Sequence, residues 1–211
     1  MQTTRFKCAA LALALAMAMA GSVALPAVAK AADGPWLVRL RAVNLDSADK
    51  DSTGLDLTMN SKVIPEIDIS YFFTPEIAAE LVLTYRQKQT LHSGVTGTDV
   101  GSFKHLPPTL TAQYHFTSLG AFKPYLGGGV NYTHISNVDF SPVASLNVGL
   151  DKSSFGLAVQ AGFDYEISKN LYLNFDVKKV QIRTDVTSNS TKVGEFKIDP
   201  LLVGVGIGRR F

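Results

Sequence analysis

Hydrophobic and polar residues alternate along most of the chain. From Phe155 onward, one set comprises Phe155, Leu157, Val159, Ala161, Phe163, Tyr165 and Ile167, and the intervening set Gly156, Ala158, Gln160, Gly162, Asp164 and Glu166. Successive strand residues point to opposite sides of a sheet, so a period of two predicts a two-sided β-strand. The same pattern sets Trp36, Val38 and Leu40 against Leu37, Arg39 and Arg41. It sets Val63, Pro65, Ile67, Ile69, Tyr71 and Phe73 against Glu66, Asp68 and Ser70. Ile77, Ala79, Leu81, Leu83 and Tyr85 oppose Glu80, Thr84 and Arg86, and Leu106, Leu110, Ala112, Tyr114 and Phe116 oppose Thr109, Thr111, Gln113 and His115. Stretches 125–135, 171–182 and 201–211 complete about eight strands, the smallest closed membrane barrel. The last of these opposes Leu201, Val203, Val205 and Ile207 to Leu202, Gly204, Gly206 and Gly208, which puts small residues in a crowded interior. In stretch 171–182 the parity changes near Lys179, which predicts a bulge.

The connections alternate in length. Thr74-Pro75, 117–123 and Ser168-Lys169-Asn170 are short, whereas 44–61, 91–103, 136–151 and 185–191 are long. Bacterial barrels place short turns in the periplasm and long loops outside, and an even strand count returns both termini to the periplasmic side. Trp36, Tyr71, Phe73, Tyr114, Phe116, Tyr165 and Phe211 fall at strand ends, where an interfacial aromatic girdle belongs. Alternation alone does not say which face is outside, so a soluble barrel with an apolar interior is the structural rival. Four features oppose it: a sparsely charged face rich in Gly and Thr, long strands, segregated loop lengths and the terminal Phe211. A terminal aromatic of this kind resembles the assembly signal of outer-membrane barrels, which makes the barrel assembly machinery an expected partner during biogenesis.

Composition sharpens this picture. Charged residues make up 18% of the sequence, against about 25% in ordinary soluble domains. Arg5 and Lys7 precede an apolar run from Cys8 to Ala20, then small residues and Ala27-Val28-Ala29, the pattern of a cleavable export signal. The run is short of the ~20 residues a spanning helix needs. The expectation is therefore a signal peptide over 1–29, removed together with Cys8, and an outer-membrane β-barrel over 30–211. The chain has 20 basic and 18 acidic residues. Loss of Arg5 and Lys7 leaves the two signs equal, which gives no electrostatic basis for binding nucleic acid.

The segment His105-Leu106-Pro107-Pro108-Thr109-Leu110-Thr111-Ala112-Gln113-Tyr114-His115-Phe116, followed by Lys123-Pro124-Tyr125-Leu126-Gly127-Gly128-Gly129-Val130-Asn131-Tyr132-Thr133, resembles the OmpW family. Phe163-Asp164-Tyr165, Leu171-Tyr172-Leu173-Asn174 and Ile198-Asp199-Pro200 extend the likeness along the chain. The resemblance implies an all-β, eight-stranded antiparallel transmembrane barrel in the bacterial outer membrane. It also implies an apolar internal channel for uptake of small hydrophobic molecules, with AlkL-like members pointing to alkane-like cargo, and lateral release into outer-membrane lipid.

Three residue groups are candidates for that activity. Arg39, Arg41, Asp68, Glu80, Asp164, Glu166 and Arg210 face inward in the expected periplasmic half, with His115 near them. They form a charge plug, or merely the polar filling of any narrow barrel. Leu55, Leu57, Met59, Phe103, Val143 and Leu146 are apolar residues in the long loops, and either build a channel entrance or pack among themselves. Pro65, Pro107 and Pro108 cannot donate ladder hydrogen bonds and mark a candidate lateral opening, with the third strand between them; alternatively they begin or bend strands near a rim. His92, His105, His115 and His134 stand at no recognisable metal-ligand spacing, and no cofactor is implied. Ser70 and Thr84 lie near Asp68 and Glu80 without a nucleophile motif, so no enzyme is expected. The alternative function is a structural or receptor barrel whose loops bind a partner without transport.

Overall fold

The computed structural model describes residues 34–141, 147–189 and 191–211. The signal-peptide reading therefore lies outside the described residues. Strands β1 (Trp36–Asp46), β4 (Lys62–Phe72), β5 (Ile77–Thr84), β8 (Thr109–His115), β9 (Phe122–Asp139), β11 (Ser153–Ser168), β12 (Leu171–Val180) and β15 (Leu201–Arg210) pair antiparallel in sequence. β1 pairs with β15, which closes the wall into an eight-stranded barrel. Closure satisfies every wall strand on both sides, the condition for a sheet immersed in lipid.

Outward side chains follow the alternation: Val38, Leu40, Ile67, Leu81, Leu110, Leu126, Leu157 and Val159 are exposed, with charged residues turned in. At the end carrying both termini, Trp36 meets Tyr71 with ring centroids 4.8 Å apart, and Tyr71 meets Phe73 at 5.1 Å. Tyr114 and Phe116 form a similar pair at 5.1 Å. Exposed Phe155 and Tyr165 stand at opposite ends of β11. Their ten-residue separation spans about 33 Å along the strand, or about 25 Å along an axis tilted by ~40°, the height of a barrel's lipid-facing band.

The long connections are themselves largely β. β2 (Lys50–Asp51), β10 (Val148–Leu150), β13 (Arg183–Ser188) and β14 (Thr191–Lys197) form a second sheet that carries the β11, β12, β15 and β1 side of the wall upward. β3 (Leu57–Met59), β6 (Gln87–Ser93) and β7 (Thr98–Leu106) continue the other side. Between these two flaps Leu57, Met59, Leu91, Phe103, Ile135, Leu150, Val186 and Phe196 pack as one apolar cluster, which continues down to Val43, Leu45, Ile64, Val180 and Ile182.

The bulge expected near Lys179 is absent. β12 keeps a regular register against β11 and β15 through that residue, and Lys178 and Val180 point inward while Lys179 points outward. What changes at this height is the lumen. Its lining passes from polar to apolar, so the hydrophobic pattern switches face although the backbone does not.

Candidate functional site

The barrel interior has two chemically distinct halves. Nearer the termini, Arg39 from β1 donates from Nε to Asp164 Oδ1 at 3.0 Å and from Nη2 to Asp164 Oδ2 at 2.6 Å. Its Nη1 reaches Glu80 at 2.8 Å and Ser70 at 2.8 Å. Arg41, two residues on and on the same face, pairs with Asp68, with Glu66 at 3.3 Å, with Asp176 at 3.2 Å and with Glu80 at 3.5 Å. Lys178 joins Glu66 at 3.3 Å. Tyr125 donates to Asp176 at 2.8 Å, and Asn174 Nδ2 donates to Asp164 at 2.9 Å. Both arginines are fully buried, so their desolvation must be offset by these multiple charge-assisted contacts.

The last strand makes room for them. Gly206 pairs with Arg41 and Gly208 with Arg39 across the β1–β15 ladder. A Cβ at Gly206 would stand 2.8 Å from Arg41 Cγ, too close for any side chain beyond hydrogen. The small residues of β15 thus permit two guanidinium groups to lie against one wall.

Of the expected charged residues, Arg39, Arg41, Asp68, Glu80 and Asp164 meet in this network. Glu166 and Arg210 do not. Glu166 sits at the termini-end rim, paired with Lys123 at 2.7 Å, and Arg210 donates to Gly34 O at 2.9 Å and covers the Phe72 ring at 4.1 Å. His115 lies between, with its Nε2 2.9 Å from Gln113 Oε1. Below the network opens a vestibule of about 330 Å³, lined by Phe72, His115, Lys123 and Arg210 among others. Asp176, Lys178, Asn174 and Tyr125 are network members that sequence reasoning missed. For Asn174, Asp176 and Lys178 the signal was present in the inward parity of β12, obscured by the supposed bulge, whereas Tyr125 comes from β9.

The upper half is apolar and filled. Leu57, Met59 and Phe103 from the expected entrance group are buried in the cluster between the flaps. Leu55 is exposed, and Val143 and Leu146 lie outside the described residues. Pairing of β3 with β6, and of β6 with β7, turned the first three inward instead of leaving them on a loop surface.

The prolines border an interrupted part of the wall. The β4–β5 ladder ends at Glu66↔Thr84, and pairing on that side resumes only at Met59↔Leu91. On the other side of the same strand, β5–β8 ends at Val82↔Thr109 and β6–β7 begins at Gln87↔His105. Tyr85, Arg86, Pro107 and Pro108 fall in this break. Asn131 Nδ2 donates to the carbonyls of Pro107 at 3.2 Å and Pro108 at 3.0 Å, which ties the proline pair to β9. The interruption lies level with the change from ionic to apolar lumen.

The polar charges outside the wall answer to local partners. Lys192 is held above its usual range by a hydrogen bond to Asp185 at 2.6 Å. Burial raises the carboxyl of Asp49, although it accepts the Met59 N–H at 3.0 Å. Among the described residues no helix is long and apolar enough to cross a membrane.

Comparison with known proteins agrees with this architecture. The model of the OmpW family matches residues 34–211. The outer-membrane protein y4mB of Sinorhizobium fredii is 40% identical over 206 residues, covering 91% of this chain and 89% of the other. Outer membrane protein W of Vibrio cholerae is 31% identical, covering 85% and 89% of the respective chains. The crystal structure of OprG from Pseudomonas aeruginosa superposes with a TM-score of 0.73 at 25% identity, over 84% of this chain and 96% of that one. A closed eight-stranded wall, an ion-paired lower lumen and a match along the whole described barrel together make this chain a member of the OmpW family of outer-membrane proteins.

Proposed function

We propose that this barrel takes up small hydrophobic molecules across the outer membrane and releases them sideways into the bilayer, with both termini on the periplasmic side. The observation that carries this reading is the coincidence of three features at one height: the apolar lining ends, the ion network begins, and the wall pairing is interrupted beside Pro65 and Pro107-Pro108. An apolar molecule moving straight down would have to separate buried ion pairs, and opening such contacts costs several kcal/mol. Sideways movement exchanges one apolar environment for another. The charge network is in this view the floor of the channel, and the cluster containing Leu57, Met59 and Phe103 is the apolar path that must part for capture. A relative in Pseudomonas aeruginosa, 27% identical over 118 residues, is named a dibenzothiophene metabolism operon protein, which supports an apolar cargo.

A second reading is favoured by the filled upper lumen: a receptor or structural barrel whose flaps bind a partner, with nothing passing through. Initial uptake of a radiolabelled apolar compound into cells with and without the protein, beside a polar solute control, separates the two. A protein-dependent increase confined to the apolar compound supports transport. Equal uptake in both cell types leaves the receptor reading.

A further inference from the structure

The outward face just above the wall interruption carries cations that no acid neutralises. On β6, Lys88 is exposed between buried Gln87 and Gln89, and on β7 Lys104 is half-buried between buried Phe103 and His105. Both side chains therefore stand on the outer face of the flap. They are also opposed directly across the ladder, where like charges repel. Exposed Arg86 shares their parity, and Lys62 extends from β4 to donate its ammonium to the Lys88 carbonyl. Among the described residues none of these four cations meets a carboxylate. The acids closest in register are engaged elsewhere. Asp139, opposite Ser102, accepts the Ser141 N–H at 2.9 Å, and Asp46, beside the Leu45↔Lys62 pair, accepts the Ser61 hydroxyl at 2.9 Å. On the other flap Arg183 and Lys192 each have a carboxylate, at 3.5 Å and 2.6 Å. The imbalance thus belongs to one side of the barrel.

The height of the cluster indicates what faces it. Phe155 and Tyr132, paired across β11 and β9, are exposed aromatics at the upper edge of the lipid-facing band. Further along β9, His134 opposes Leu106 and Ser136 opposes Lys104. With strands tilted by ~40°, these two positions lie about 5 Å and about 10 Å beyond Tyr132 along the barrel axis. A bilayer of ~40–45 Å with a core of ~30 Å leaves about 5–8 Å of headgroup on each side, and the long stems of lysine and arginine reach back over the remainder. The cations are therefore level with lipid headgroups. Below them, Leu83 and Leu110 continue the exposed apolar wall, so an occupant with an anionic head and acyl chains matches both surfaces. The arginine fork and the lysine point charges suit phosphate oxygens.

We infer that Arg86, Lys88 and Lys104, with Lys62 behind them, hold the anionic phosphate groups of an outer-leaflet lipid whose acyl chains lie against the wall beside the interruption. The bound phosphate offsets the repulsion between the opposed lysines. The inference rests on the orientation proposed above, which puts this end outside, and not on transport.

The test titrates the full barrel in dodecyl maltoside micelles with bisphosphorylated lipid A or with the same lipid dephosphorylated, and reads the lipid-bound fraction by native mass spectrometry. The phosphorylated lipid should bind saturably and the dephosphorylated one should not. Lys88→Gln with Lys104→Gln should weaken binding about 25-fold, because each basic group near an anionic headgroup surface contributes about fivefold. Arg183→Gln with Lys192→Gln, on the other flap, should leave it within about twofold. In phosphatidylcholine vesicles the double lysine variant should resist urea at least as well as wild type, since it loses only a repulsion. Equal binding of the two lipids, or equal losses in the two double variants, overturns the site. Orientation is read separately, by labelling Val95→Cys at the tip of the β6–β7 hairpin with a membrane-impermeant maleimide on intact cells. Labelling supports the outer leaflet. Its absence puts the flap in the periplasm and overturns the outer-leaflet assignment, whatever the titration shows. Neither measurement involves uptake, so a failure of transport leaves both decisive.

Discussion

Arg39 grips Asp164 across the lumen through two nitrogens, at 3.0 Å and 2.6 Å, and holds Glu80 at 2.8 Å with the third. One guanidinium thereby joins β1, β5 and β11, which are not neighbours in the wall. The planar fork of arginine suits this geometry, and a lysine could not reproduce it.

Removing Arg39 leaves the buried Asp164 without its ion-pair partner and Glu80 with Arg41 at 3.5 Å, so Arg39→Met should destabilise the barrel by about 3–5 kcal/mol. Asp164→Asn leaves Arg39 paired with Glu80 and should cost clearly less. Urea unfolding of each variant in lipid vesicles measures the difference. Equal losses would mean that the network is not centred on the arginine.

Val159 and Val95 are similarly exposed, at 59% and 67%, but Val159 lies mid-wall on β11 and Val95 at the tip of the β6–β7 hairpin. Val159→Arg should cost about 2–4 kcal/mol because the charge enters hydrocarbon. Val95→Arg should change stability by no more than about 0.5 kcal/mol, as for most exposed surface sites. Unfolding in vesicles tests both, and equal behaviour would show that the outward face does not contact lipid.

Pro107 and Pro108 lack the N–H groups that would let the ladder run through the break. Replacing them by Thr and Val should strengthen the wall and slow delivery of apolar cargo into the membrane without changing its capture by the flaps. Delivery and capture are read separately, as the rate of membrane labelling and as surface binding at low temperature. Unchanged delivery in a correctly folded double variant would direct attention back to the ionic floor.

Asp49 is partly buried, its carboxyl is raised chiefly by that burial, and its backbone has a φ of 48°. A raised acid disfavours folding at a pH above its folded pKa, and the penalty disappears as pH falls toward the ordinary value of 3.8. Asp49→Asn keeps the acceptor for the Met59 N–H and tolerates the left-handed backbone. The variant should be more heat-stable than wild type at pH 7, with the gap closing by pH 4. Thermal unfolding at the two pH values checks this, and a gap that widens on acidification would reverse the assignment.

The wall strands, their faces, the aromatic girdle and the alternation of short and long connections were legible in the sequence, because each follows from a period of two and from local turn residues. Arg39, Arg41, Asp68 and Glu80 could likewise be read as inward. Their partners could not. Whether Asp164 meets Arg39 from β11, while Glu166 two residues on turns to Lys123 at the rim, depends on strand stagger in the closed barrel, which no single strand encodes. The same limit applies to Leu57, Met59 and Phe103. Their apolar character was plain, but only the pairing of β3, β6 and β7 turned them into a filled interior. The false bulge at Lys179 has the same origin: hydrophobic parity reports the medium on each side of a strand, and inside this barrel the medium changes halfway up. Alternation along a chain is a local property, whereas the contents of a lumen are set by residues that meet across it.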